Sequence, residues 1–155
     1  MMLREAPDSP RRWCFACGSD NPEGLHIEFE IQDGGVSGRF QSRDSHQGYP
    51  GVMHGGVAAV ALDEAMAWAA IAAGFWGTTA KMDVRFRRPL PLNVALQVTA
   101  RVERDRGRWL QVVGRLYSAD GELLVEANGL LQKLSEERAR EMNSLYFLNP
   151  ADDEG

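Results

Sequence analysis

The chain has 155 residues, a formal net charge of −5 and 25% charged residues. That length suits a single domain with a full hydrophobic core. The acidic balance argues against a general nucleic-acid binder, and two cysteines make no disulfide framework. The polar amino terminus, MMLREAPDSPRRW, lacks the apolar run of a signal peptide, so a cytoplasmic home is expected.

Residues 1–13 read as a loose lead-in. Cys14-Phe15-Ala16-Cys17-Gly18 follows, then Asn21-Pro22-Glu23-Gly24. A lone C-x-x-C supplies two of the four ligands of a structural zinc site, and no second pair follows. His26 adds a third only if strand geometry allows it. The expectation is a tight turn with two small buried thiols and no metal.

Leu25, Ile27, Phe29 and Ile31 alternate with polar residues, which predicts a half-buried strand. Gly34-Gly35 predicts a hairpin turn, and Val36 to Arg43 a returning strand. Ser45 to Met53 is a loop. The stretch from His54-Gly55-Gly56 to Gly74 holds nine alanines and predicts a long helix. Gly74 stands where a C-cap glycine belongs. The helix is apolar nearly all round, so it reads as buried. A membrane span would be richer in large apolar residues and would not carry Asp63 and Glu64 near its centre. A carboxylate on a buried helix is expensive unless paired or used. Asp63 therefore caps a loop, pairs with an Arg, or does chemistry.

Thr78 to Arg88 predicts a third strand, ended by Pro89 and Pro91. Val94 to Val102 gives a fourth, Leu110 to Leu116 a fifth and Leu123 to Leu134 a sixth, with turns at Asp105-Arg106-Gly107 and Ala119-Asp120-Gly121. Ser135 to Tyr146 reads as an amphipathic helix with Ser135 as its N-cap. Asp152-Asp153-Glu154 reads as a frayed tail. The predicted fold class is α+β: an antiparallel sheet of five or six strands wrapped around one long central helix, plus a C-terminal helix. Residues 1–155 form one domain, with 135–155 as terminal helix and tail. A second copy of the chain is the simplest cover for the helix face the sheet leaves open.

His54-Gly55-Gly56, Asp63, Thr79-Ala80 and Arg87-Arg88-Pro89, with the C-F-x-C-G-x-x-N-P-x-G-L stretch from Cys14 to Leu25, resemble the hotdog-fold acyl-CoA thioesterases of the phenylacetate-pathway and THEM type. The likeness covers about residues 14–134. It implies that the Gly55 N–H polarises the thioester carbonyl. It implies that Asp63 is general base or nucleophile, that Thr79 positions the attacking water, and that His54 hydrogen-bonds in the loop or near the thioester. Family members often carry a Gln or Asn before H-G-G. Gln47 is the nearest candidate here, but the gapless match falls on Gly48. No cofactor is implied beyond coenzyme A as part of the substrate.

Residue chemistry adds to this. Gly55 and Gly56 open a helix whose first N–H groups lack helical acceptors and carry the positive end of the dipole. That is a ready site for a carbonyl oxygen. Gly55 and Asp63 are eight residues apart on one helix, about 12 Å of rise. One straight helix cannot bring both to the same small group. Two antiparallel helices can, which predicts a homodimer with shared sites and leaves room for a dimer of dimers. Arg85, Arg87 and Arg88 suit the phosphates of coenzyme A, or else pair along the strand with Asp83, Glu103 or Glu126. Val60, Met66, Trp68, Phe75 and Trp76 read as core before pocket. Other readings are a hydratase on the same fold using His46 or His54, a non-catalytic acyl-CoA binder, and a zinc-ribbon module. Neither a nucleic-acid nor a membrane partner is expected.

Overall fold

The structure, a computed structural model, describes residues 8–147. Half of the lead-in and the acidic tail, 152–154, lie outside the described residues. The elements are β1 (Glu28–Gln32), β2 (Gly35–Gln41), α1 (Gly55–Ala72), β3 (Gly77–Phe86), β4 (Ala95–Arg106), β5 (Trp109–Ser118), β6 (Leu123–Lys133) and α2 (Glu136–Tyr146). The six strands form one antiparallel sheet in the order β1-β2-β4-β5-β6-β3. Each hairpin joins neighbours, while the helix crossover carries β3 past three strands to pair with β6. The β3 strand is therefore an edge, although it follows directly after the helix.

The sheet wraps α1, which packs against every strand. Ala58, Ala61, Leu62, Ala65, Met66 and Ala69 of the helix are buried with Val98, Leu110, Val112, Leu116, Val125 and Leu131 of the strands. The close approach rests on small residues. A Cβ on Gly129 would stand 2.8 Å from Met66 Sδ, and one on Gly114 would stand 3.2 Å from Leu62 Cδ2. The 18-residue helix is apolar and long enough to cross a membrane, but here it lies against the concave face of the sheet.

The helix ends are defined by their caps. His54 is the N-cap, and its Nδ1 accepts from the Gly56 N–H at 2.8 Å. At the other end Gly74 takes φ +89°, its N–H bonds Ile71 O, and the Phe75 N–H bonds Ala70 O. This is a Schellman motif, so Gly74 lies one residue beyond the C-cap, Ala73.

Several boundaries differ from the sequence expectation. The β4 strand runs on to Arg106, through two residues of the predicted Asp105-Arg106-Gly107 turn, and β2 and β3 end two residues early, at Gln41 and Phe86. The first strand starts at Glu28, not Leu25, because His26 adopts φ +52° and breaks the extended run. Leu25 and Ile27 are still buried, held through the N–H bonds Leu25 to Phe15 O and Ile27 to Ala16 O. The first hairpin turns on Asp33-Gly34, and Gly35 already belongs to β2. Along β3, Met82 and Val84 are half-buried, but Phe86, next in the same alternation, is 52% exposed.

The terminal helix follows its predicted cap. Ser135 Oγ accepts from the Arg138 N–H at 3.3 Å. None of its residues is fully buried. It is tied to the body by the Trp76 indole N–H donating to Asn143 Oδ1 at 2.8 Å and by Tyr146 edge-on to Trp76.

Candidate active site

Two groups of predicted site residues form on α1, one at its start and one at its middle. At the start the loop before the helix is stapled at several points. Met53 N–H donates to Leu90 O at 2.9 Å, and His54 N–H to His46 O at 2.8 Å. Gln47 pairs with Met53 in an isolated bridge, and its side-chain Oε1 accepts from the Gly51 N–H at 2.9 Å. Gln47 thus holds its own loop in shape. Gly48 lies against His54, where an added Cβ would stand 3.0 Å from His54 Cα. His54 accepts through Nδ1, so its ring carries the hydrogen on Nε2. This capping role leaves His54 as an organiser of the helix start. His46 is also committed: its ring is buried, and its Nδ1 accepts from the Arg43 N–H at 3.1 Å.

Gly55 is the first helical residue. A Cβ there would meet Phe86 Cε1 at 3.0 Å, so the ring of Phe86 lies directly over the glycine. Beside them a groove opens between the loop and β3, lined by Tyr49, Val52, Met53, Phe86, Arg88 and Leu90. It is apolar at its walls, has the positive end of α1 at its floor and a guanidinium at its rim. Phe86 and Tyr49 carried no sequence signal for this place, since single exposed aromatics are common on surfaces.

At the middle of the helix Thr79 Oγ1 donates to Asp63 Oδ1 at 2.7 Å. Asp63 is half-buried on the strip of α1 that the sheet does not cover. Among the described residues its partner is a neutral hydroxyl and not the Arg of the expected alternative. A carboxylate held by one hydroxyl keeps lone pairs free to accept from water. Asp63 and Gly55 are separated by about 12 Å of helix, so a single chain does not unite the two groups.

Glu64 goes the other way. About 100° round the helix from Asp63, it turns to the amino-terminal loop. Its Oε1 accepts from Cys17 Sγ at 2.8 Å, from Trp68 Nε1 at 3.2 Å and from Cys14 Sγ at 3.5 Å. Burial pushes Glu64 up to about 7. The Cys17 hydrogen bond holds the Cys14 thiol down at about 5, and the same bond pushes Cys17 up. The Cys turn is thus tight, as expected, but its thiols have a carboxylate partner that the spacing did not foretell. Glu64 is no substitute base for Asp63. His26, weighed as a third ligand, instead places Nε2 2.6 Å from Asn21 O.

The arginines divide. Arg87 pairs with Glu126 at 2.7 Å, one of the partners named from sequence, and Arg88 pairs with Glu122 at 3.1 Å. All three arginines are exposed around Phe86 at the end of β3. Of the apolar candidates, Met66 and Trp68 are core, while Val60, Phe75 and Trp76 pack partly buried around it.

Residues 50–125, which include the helix start, Asp63, Thr79 and the Arg-Pro turn, match the Thioesterase superfamily. The chain carries a hotdog domain of the thioesterase superfamily. The mouse acyl-coenzyme A thioesterase THEM4 is 32% identical over 121 residues, which is 75% of this chain and 52% of the mouse protein. The bovine THEM4 is 31% identical over 76% of this chain and 50% of its own length. The chain thus spans about half the length of the curated relatives it matches. A thioesterase superfamily protein of known crystal structure shares 33% identity and a TM-score of 0.75, covering 78% of this chain and 60% of that one. The Escherichia coli PaaI protein, from the phenylacetic acid degradation operon, superposes with a TM-score of 0.67 at 17% identity, over 72% of this chain and 81% of its own. At that identity the likeness speaks to the hotdog fold alone.

Proposed function

We propose that this hotdog protein hydrolyses an acyl-CoA thioester to the free acid and coenzyme A. The observation that carries the reading is the Thr79–Asp63 hydrogen bond of 2.7 Å on the uncovered strip of α1. It orients a half-buried carboxylate without neutralising it. The THEM4 relatives, named acyl-coenzyme A thioesterases, supply the substrate class.

In this mechanism the thioester carbonyl oxygen accepts from the Gly55 N–H, and Gly56 keeps the approach open. The N–H groups and dipole at the helix start stabilise the oxyanion that develops there. Asp63 takes a proton from water as the water attacks the carbonyl carbon. In the alternative course Asp63 attacks that carbon itself, the thiolate leaves from the resulting adduct, and water then hydrolyses the mixed anhydride to the free acid and the Asp63 carboxylate. Thr79 fixes the carboxylate and the water. The C–S bond then breaks, and the thiolate leaves with a proton returned from the Asp63 side. His54 acts by capping the helix, and Gln47 by bracing the loop. Arg85, Arg87 and Arg88 flank the groove mouth, where phosphates of the coenzyme would exchange with the Glu126 and Glu122 carboxylates.

The reaction needs two chains. The strip of α1 through Gly56, Ala59, Val60, Asp63 and Ala67 is small and apolar apart from the acid. The β3 strand beside it is an exposed sheet edge whose backbone can pair with another β3. A homodimer joined there covers the strip and sets Gly55 of one copy near Asp63 of the other.

A panel of acyl-CoA thioesters with a chromogenic thiol readout tests the activity. Release of free thiol is expected, and Asp63→Asn should lower kcat by about 10²- to 10⁴-fold while leaving the fold intact. Full turnover in a folded Asp63→Asn protein would exclude the assignment.

A further inference from the structure

Cys14, Cys17 and Glu64 form a cluster that the proposed hydrolysis does not use. Two thiols and a carboxylate from segments 47 residues apart lie with their ligand atoms all within 4.8 Å of one another. Cys17 is buried, and Cys14 and Glu64 are half-buried. All three donors to Glu64, the two thiols and the Trp68 indole, converge on the single oxygen Oε1.

The loop that presents the thiols is built for one shape. The Cys17 N–H points at Cys14 Sγ at 3.5 Å, and the Gly18 N–H returns to Cys14 O at 2.9 Å. A Cβ on Gly18 would stand 2.5 Å from Arg12 O, Cys14 N and Cys14 O. Only glycine fits there, so the turn is closely packed on itself. The far side of the loop is fixed too, with Leu25 and Ile27 bonded back to Phe15 and Ala16. On the helix side, Trp68 stacks on Phe29 and holds Glu64 through its indole N–H. The Arg11 guanidinium lies 4.7 Å over the Trp68 ring, a positive charge one ring away from the carboxylate.

We propose that Cys14, Cys17 and Glu64 are the protein ligands of a structural zinc ion that fastens the amino-terminal loop to the central helix. Thiolate sulfur at about 2.3 Å and carboxylate oxygen at about 2.0–2.2 Å from zinc require ligand atoms separated by somewhat under 4 Å. The cluster meets that spacing with little movement. On binding, both sulfurs ligate as thiolates, and the Cys17 proton leaves to solvent. The carboxylate exchanges its thiol donors for the metal and keeps the indole N–H, the outer-shell partner that orients it. Water fills the fourth position. Two thiolates favour zinc over calcium or magnesium, which prefer all-oxygen sites. The ion lies about 100° round α1 from Asp63, so it holds the scaffold and stands apart from the reacting carboxylate.

The test uses the whole chain under reducing conditions and reads metal, not turnover. Elemental mass spectrometry of protein purified without chelator should give one zinc per chain. After chelation, two thiols should react with Ellman's reagent, and one equivalent of Zn²⁺ should suppress both. Cobalt(II) should give thiolate-to-metal charge-transfer absorption with the visible bands of tetrahedral cobalt. Glu64→Gln should weaken zinc binding at least about 10-fold, the loss ordinarily seen even for outer-shell partners. Cys17→Ser should abolish the charge-transfer band. Thiols that stay reactive in the unaltered chain under excess zinc, with no cobalt band, would overturn the site. That result needs no variant to fold and leaves the hydrolase reading standing.

Discussion

At the scale of single residues, the contact that matters most is one hydroxyl on one carboxylate. Thr79 Oγ1 sits 2.7 Å from Asp63 Oδ1. Thr79→Val keeps the β-branched shape that suits a strand and deletes the donor. A hydrogen bond to a charged group is worth about 1.5–3 kcal/mol. Thr79→Val is therefore expected to lower kcat by about 10- to 100-fold, with KM and thermal midpoint little changed. Steady-state kinetics on a thioester substrate checks this, and a loss confined to KM would assign Thr79 to binding instead. His46 makes a prediction of a different kind. Burial first, then the charge of Arg43, hold its pKa below the ordinary 6.5. The unfolded chain therefore takes up the proton first as pH falls. The stability that neutral His46 provides is whole above pH 6.5 and drains away as pH drops toward the lower folded-state value. The difference in urea midpoint between the native chain and His46→Gln should thus shrink between pH 7 and pH 5. Using the difference removes the opposing contribution of Glu64, whose raised pKa weakens the fold as pH climbs through the same range. A difference that is flat with pH would mean that the fold leaves the His46 pKa at its unfolded value.

At the scale of elements, the long helix was legible because its signals are local. Alanine density gave its body, and Gly74 gave its end. The Schellman geometry makes that end testable. Gly74 takes φ +89° with nothing within 4 Å of an added Cβ, so the only penalty of a side chain is conformational. Gly74→Ala should cost about 1–2 kcal/mol, the usual price of a left-handed L-residue, read as a fall in urea midpoint with unchanged slope. The strands were legible from alternation, and their edges slipped where one residue broke the period: His26 with its positive φ cut the first strand short. The site was legible in part. Residues that follow one another on a helix, such as His54, Gly55 and Asp63, have spacings that fix their geometry. Partners from other elements do not. The ring of Phe86 over Gly55 and the thiols of Cys14 and Cys17 on Glu64 depend on how β3 and the amino-terminal loop dock, and no local period encodes docking. Arg87, one residue past the end of β3, found one of its predicted partners by reaching diagonally to Glu126, the residue that faces Arg85 in β6, whereas Arg88 turned to Glu122 just before β6.

At the scale of the molecule, the proposed reaction centre has one half on each chain, and that arrangement can be probed without a crystal of the dimer. Light scattering should first report a dimer or a multiple of it. Two inactive variants then decide whether the halves come from different chains. Asp63→Asn removes the acid. Gly55→Pro removes the N–H while suiting the helix, because proline is favoured at the first helical position and lacks only a donor that the helix does not use. His54 before it has φ −60° and ψ 132°, the extended conformation that a residue preceding proline prefers. The proline ring displaces the Phe86 side chain slightly, and Phe86 is half-exposed with room to yield. Each variant alone should be nearly inactive. In a mixed dimer, one site joins the intact Gly55 of the first chain to the intact Asp63 of the second, and the other site has both defects. Unfolding and refolding the two variants together at equal concentration should yield half mixed dimers, each with one working site in two. Activity should then return to about a quarter of the native level. Sites contained within one chain would have no intact combination in any dimer, and refolding would restore nothing.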